Sequence, residues 1–107
     1  MAKIEFEIDG AEYTLEFSRR TQATMERNGF ILEELTDKPQ TMIPLLFRGA
    51  FLMHHPRIKE EDVNGIYKRL GDKSELISAL VDCYHAASET LFDEPEDDAK
   101  KVQWRKA

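Results

Sequence analysis

The 107-residue chain has one cysteine, one tryptophan and no apolar run long enough to cross a bilayer. A single thiol, Cys83, excludes an internal disulfide framework and fits a reducing compartment. The most apolar stretch, Met42–His55, falls short of the about 20 residues that a spanning helix needs, so no membrane association is expected. Cations are also in deficit, with 15 Lys and Arg against 21 Asp and Glu. That balance argues against nucleic acid as a partner, because such binders use basic residues to displace counterions. Glycine-rich phosphate loops and G-x-S-x-G elbows are missing. The opening residues alternate apolar and charged, unlike a signal peptide. The expectation is an acidic, single-domain, cytoplasmic protein, long enough to enclose one core.

The chain is organised around Met42–His55, MIPLLFRGAFLMHH. Its apolar residues fall on more than one face of a helix, and such a helix is wrapped by its neighbours rather than laid on a surface. A central helix over about 41–55 is therefore expected. Pro44 has to sit near its first turn, and Pro56 sets its end. Ahead of it, Lys3–Ile8 and Ala11–Phe17 alternate with period two around Asp9-Gly10, which predicts a hairpin over 3–17. Ile4, Phe6, Ile8, Tyr13, Leu15 and Phe17 form its apolar face. A lone hairpin is marginal in water, so this face has to rest on helices.

Ser18 is a natural N-cap for a short helix over 19–28, stopped by Gly29. The acidic Glu60-Glu61-Asp62 opens an amphipathic helix over 59–70, closed by Gly71. Asp72 and Glu75 then read as the start of a capping box for a last helix over 73–92. Together these give an α+β domain over 1–92: a hairpin packed on about four helices. Residues 93–107 read as a flexible acidic tail, because DEPEDD has nothing apolar to bury.

Candidate chemistry is sparse. His54, His55, Cys83 and His85 allow a composite metal site if their helix ends meet, but neighbouring helical residues diverge by about 100° and the spacings lack zinc-type signatures. A polar helix terminus is the plainer reading of the two adjacent histidines, and a buried, inert thiol that of Cys83. No catalytic residue, metal or cofactor is expected. Interaction is the better prospect, carried by Phe51, Tyr84, Leu91 and Phe92 on one edge of the helical layer and by Trp104 in the tail. Trp104 reads either as a docking residue for a partner or as a plug for the domain's own core.

The order of the segments IEFEIDGAEYTLEFSRRT, MERNGFILEEL, DKPQTMIPLLFRGAFLMHH and IYKRLGDKSELISALVDCY, followed by DEPEDD and Trp104, spans nearly the whole chain. In that order the chain resembles the small tail assembly chaperones of long-tailed phages and prophages of Gram-positive bacteria, and among them a subgroup that opens with a hairpin. The resemblance implies a non-enzymatic chaperone that coats the tape measure protein, keeps it soluble and helps tail tube subunits assemble around it. It also implies a longer product made by ribosomal frameshifting, through which the tail tube protein is reached. Coating by several copies leaves a homo-oligomer open. The residue-level alternative is an acidic adaptor or inhibitor that engages a basic host or phage protein.

Overall fold

The computed structural model describes residues 2–94 and 101–106 of the chain. Strands β1 (Ile4–Ile8) and β2 (Ala11–Leu15) pair antiparallel with Ile4 opposite Leu15 and Phe6 opposite Tyr13. Asp9 and Gly10 both take positive φ, 52° and 85°, as a two-residue type I′ turn requires. This turn sets the register that puts all the expected apolar positions on one face. Leu15 and Phe17 are buried, whereas Glu5, Glu7 and Glu12 stay in solvent.

Helix α1 (Arg19–Arg27) starts at a complete capping box. Ser18 Oγ accepts from Thr21 N–H at 3.1 Å, and Thr21 Oγ1 accepts from Ser18 N–H at 2.9 Å. Its end is a Schellman motif: Gly29 N–H donates to Glu26 O, and Phe30 N–H reaches back to Met25 O. Gly29 takes φ +97°, and the Met25 and Phe30 side chains are both buried. A 3-10 turn at Leu32–Glu34 leads into helix α2 (Pro39–Phe51).

Helix α2 packs against α1, β2, the 3-10 turn, helix α3 (Glu60–Arg69) and helix α4 (Lys73–Glu89), and so occupies the middle of the fold. Its buried residues Met42, Leu46, Phe47, Gly49, Ala50 and Phe51 lie on several faces, as a wrapped helix requires. Two expectations about it are corrected. Pro44 lies beyond the first turn, inside the helix, where its ring deprives the Gln40 carbonyl of a donor. Both residues face solvent, which supplies the missing hydrogen bond.

The helix also stops at Phe51 rather than His55. Continuing it needs the Ala50 carbonyl for His54 N–H, but that carbonyl accepts from Glu16 N–H at 3.1 Å. The hairpin thus takes the bond that the next helical turn would use, and Leu52 N–H donates instead to Gly49 O.

Helix α3 carries its three acids in the first turn and Lys68 and Arg69 in the last, both matched to the dipole. The helix ends just before Gly71, and the left-handed residue is the next one, Asp72 (φ 51°), whose carboxylate accepts from Glu75 N–H. Helix α4 tightens into a 3-10 turn at Thr90–Phe92. The architecture is α+β, an N-terminal hairpin on four helices. The expectation of a flexible tail over 93–107 falls in part on residues 95–100 and 107, which lie outside the described residues. Asp93-Glu94 and residues 101–106 are exposed and form neither helix nor strand.

Candidate interaction surface

Of the residues expected at a binding edge, the fold buries Phe51 and Tyr84 and leaves Leu91, Phe92 and Trp104 exposed. Phe51 is 0% exposed and Tyr84 6%, so both belong to the core. Phe51 is held edge-on by Phe47, with ring centroids 5.1 Å apart, and closed over by Tyr13 and His55. Tyr84 is held between Phe17 and Phe30, each 5.2 Å away. These rings are not surplus to a small core. Phe51 joins α2 to the hairpin and Tyr84 joins α4 to the segments that follow β2 and α1, and aromatic pairs of this kind add about 0.5–1.5 kcal/mol beyond the area they bury.

Leu91 and Phe92, by contrast, are exposed side by side on the turn that extends α4, at 63% and 84%. Trp104 and Val102 are exposed as well. Ile31, in the connector after α1, and Met53, in the turn after α2, add two further exposed apolar side chains. Met53 belongs to the stretch expected as the central helix and falls in a turn only because α2 stops at Phe51; Ile31 escaped notice because a short aperiodic connector gives it no helical or strand face.

The histidines join hairpin to helix. Glu16 is buried, and its Oε1 lies 2.8 Å from His54 Nε2. His55 Nε2 accepts from Thr14 N–H at 3.1 Å. With Glu16 N–H on Ala50 O, three hydrogen bonds tie the exit of β2 to the end of α2. His85 is exposed on α4, and Cys83 faces the core. Burial pushes the Cys83 thiol above its ordinary pKa, and the charges of Asp82 and Glu16 act in the same direction. The composite of His54, His55, Cys83 and His85 is therefore not assembled. No group of three or more His, Cys, Asp or Glu side chains converges among the described residues.

Gln22 is a second residue that the sequence concealed. Helix α1 reads as mostly polar with Met25 and Ala23 turned inward, yet Gln22 is buried too, and its Nε2 donates to Tyr84 O at 2.7 Å and to Ser88 Oγ at 3.0 Å. A polar anchor of this kind has the same periodicity as an apolar one, and only its partner gives it away. On the far side of the molecule Arg69 forks onto Asp9, at 2.7 and 3.4 Å, and ties the hairpin turn to α3. Arg69 holds the Asp9 carboxyl below its ordinary pKa, first by hydrogen bonding and then by charge.

Beside Tyr84 the surface opens into a groove of about 470 Å³ between α1, the connector and α4. Phe30, Ile31, Leu32 and Tyr84 line its apolar part, with Glu26 and Glu33 among its polar residues. Burial raises the Tyr84 pKa, and the charges of these two glutamates raise it further. Among the described residues neither glutamate has a cation within ion-pair distance. No helix is long and apolar enough to cross a membrane.

No curated protein and no solved structure matches the chain. One family model does, over residues 1–107, and its description is a domain of unknown function. The arrangement described above, a hairpin stitched to the end of a central helix with an apolar turn left exposed at the end of α4, is thus that of a member of the DUF5055 family, to which the chain belongs.

Proposed function

We propose that the protein is a non-enzymatic tail assembly chaperone of a long-tailed phage or prophage, acting in the host cell cytoplasm. Its client is the tape measure protein, and a longer frameshifted form extends its reach to the tail tube protein. The observation that carries this reading is the exposed pair Leu91 and Phe92, adjacent on the turn that ends α4. Covering one such side chain yields about 1.5–3 kcal/mol. That suits a coat of many weak contacts along an extended apolar client better than one tight site. The acidic balance keeps neighbouring copies soluble while they are crowded on one client. The order of segments along the whole chain supports the same role.

Co-expression with the tape measure protein of the same gene cluster tests this reading. The expected result is a soluble complex with several copies of the chaperone per client. The double variant Leu91→Ser, Phe92→Ser is expected to lose that rescue while melting at an unchanged temperature, because neither side chain is buried. An insoluble client alongside a folded wild-type chaperone refutes the reading.

One observation favours a second reading, an adaptor for a basic protein. Residues 1–94 hold 18 acids against 11 Lys and Arg, and Glu26 and Glu33 flank an apolar groove. Binding that weakens steeply with salt points to the adaptor, whereas apolar coating is little affected.

A further inference from the structure

The charge of the chain is unevenly divided. The 18 acids and 11 basic residues of 1–94 leave a balance of −7, whereas KVQWRK, residues 101–106, carries three cations and no acid. That basic segment also holds Val102 and Trp104, 84% and 86% exposed. The groove beside Tyr84 is its complement in both respects. It offers apolar contact through Ile31, Leu32 and Tyr84, and it has two carboxylates without cationic partners among the described residues, Glu26 and Glu33. Two other grooves have the opposite sign at their rims, with Arg48 at the one beside Gly49 and Lys68 at the one between α2 and α3.

Reach is ample. From Tyr84 to Glu94 the chain advances at most about 20 Å, at about 1.5 Å per residue in α4, about 2 Å in the 3-10 turn and about 3.3 Å beyond it. The ten residues from Glu94 to Trp104 extend up to about 33 Å. Lys101 already pairs with Glu94 at 3.3 Å, which keeps the start of the segment close to the end of α4.

We infer that the groove formed by Ile31, Leu32, Tyr84, Glu26 and Glu33 is the docking site of the chain's own segment 101–106, with Trp104 as the anchor. Docking carries the indole from its exposed position onto Ile31 and the edge of Tyr84, where Arg105 and Lys106 neutralise Glu26 and Glu33 while Lys101 stays on Glu94. An intramolecular segment on a short connection has an effective concentration in the millimolar range, so even a weak site fills in part. The docked segment is then an internal competitor that any external basic, aromatic-bearing peptide has to displace. The inference holds whichever client the exposed turn at Leu91–Phe92 serves.

Trp104 is the sole tryptophan, so fluorescence excited to the red of tyrosine absorption reports on this residue alone. In low salt, at low protein concentration, Trp104 emission is expected to lie to the blue of that of a synthetic peptide of residues 95–107, with weaker acrylamide quenching. Reversing the groove with Glu26→Lys and Glu33→Lys is expected to lower the docking constant by roughly threefold or more, the range for two lost exposed ion pairs. Both side chains are exposed, so the circular dichroism melt should not move. Arg105→Glu with Lys106→Glu repeats the test from the other partner without touching the domain. Three results overturn the inference: quenching equal to that of the free peptide, protection indifferent to both charge reversals, and protection that grows with protein concentration. The last assigns the groove to a second copy.

Discussion

Replacing Gly49 with alanine measures how closely α1 and α2 are packed. A Cβ at this position would stand 2.4, 2.5 and 2.8 Å from Sδ, Cε and Cγ of Met25, well inside van der Waals contact. Two effects oppose each other. Alanine in place of glycine inside a helix contributes about 1 kcal/mol. Overfilling a packed core costs about 1–3 kcal/mol. Met25 is 4% exposed, so its thioether cannot swing into water. A groove of about 330 Å³ beside Gly49 and Leu45 gives it partial relief, which places the cost near the middle of that range. Overfilling wins by about 1 kcal/mol, a fall in Tm of about 4–8 °C for a domain of this size. Met25→Ala by itself is expected to cost about 2–5 kcal/mol, through lost burial and the space left behind. In that shortened background the overlap is gone, and Gly49→Ala should become stabilising by about 1 kcal/mol. The sign of one substitution thus reverses with the identity of the other, a coupling of about 2 kcal/mol in a double-mutant cycle read by thermal or urea melts. Equal stabilisation by Gly49→Ala in both backgrounds would falsify the close α1–α2 approach.

Other perturbations test separate parts of the fold. Gln22→Leu removes two donors that bridge α1 to α4 and should lower stability by about 1–2 kcal/mol in urea melts; an unchanged midpoint means the amide is not an anchor. Gly10→Ala forces a Cβ into the left-handed region at φ +85° and should cost about 1–2 kcal/mol, whereas Gly65→Ala, with nothing within 4 Å of its Cβ, should stabilise helix α3. Cys83 and Tyr84 hold their protons more tightly folded than unfolded. The stability they contribute is full below about pH 8.5 and declines as pH rises through and beyond the ordinary cysteine and tyrosine values. Urea midpoints should therefore fall between pH 8 and pH 10.5, and Tyr84→Phe with Cys83→Ala should flatten that decline; an equally steep decline in the double variant removes both groups as its source.

The local elements were legible because each has a signal confined to a few residues. Asp9-Gly10 between two period-two runs specifies the turn and the register. Ser18 and Gly29 bracket α1 by cap chemistry at each end. What escaped is what depends on distant partners. The end of α2 is decided by Glu16 N–H competing for one carbonyl, and no residue near Phe51 announces it. Pro56 gives only the last position the helix can reach. Phe51 and Tyr84 are exchangeable with surface aromatics on paper, since an edge and a core present the same helical spacing, and only the rings of Phe47, Phe17 and Phe30 decide between them. Leu91 and Phe92 were placed correctly at the surface because the chain beyond them has nothing apolar to lay across them until Val102. Gln22 shows the converse case, a polar residue drawn inward by a carbonyl sixty-two positions away.

The stitching of β2 to the end of α2 also bears on how the hairpin behaves beside other chains. A two-stranded sheet has two free edges, and each is a template for an incoming strand. With Phe6 opposite Tyr13 and Ile8 opposite Ala11, the outward-facing amides of β2 are those of Glu12, Thr14 and, just past the strand, Glu16. Thr14 is occupied by His55 and Glu16 by Ala50, which leaves only Glu12, next to the turn, free to recruit a neighbour. The β1 edge stays open but is flanked by Lys3, Glu5 and Glu7, whose charges discourage stacking of identical strands. The hydrogen bonds spent on the end of α2 thereby leave an incoming strand little to pair with along β2.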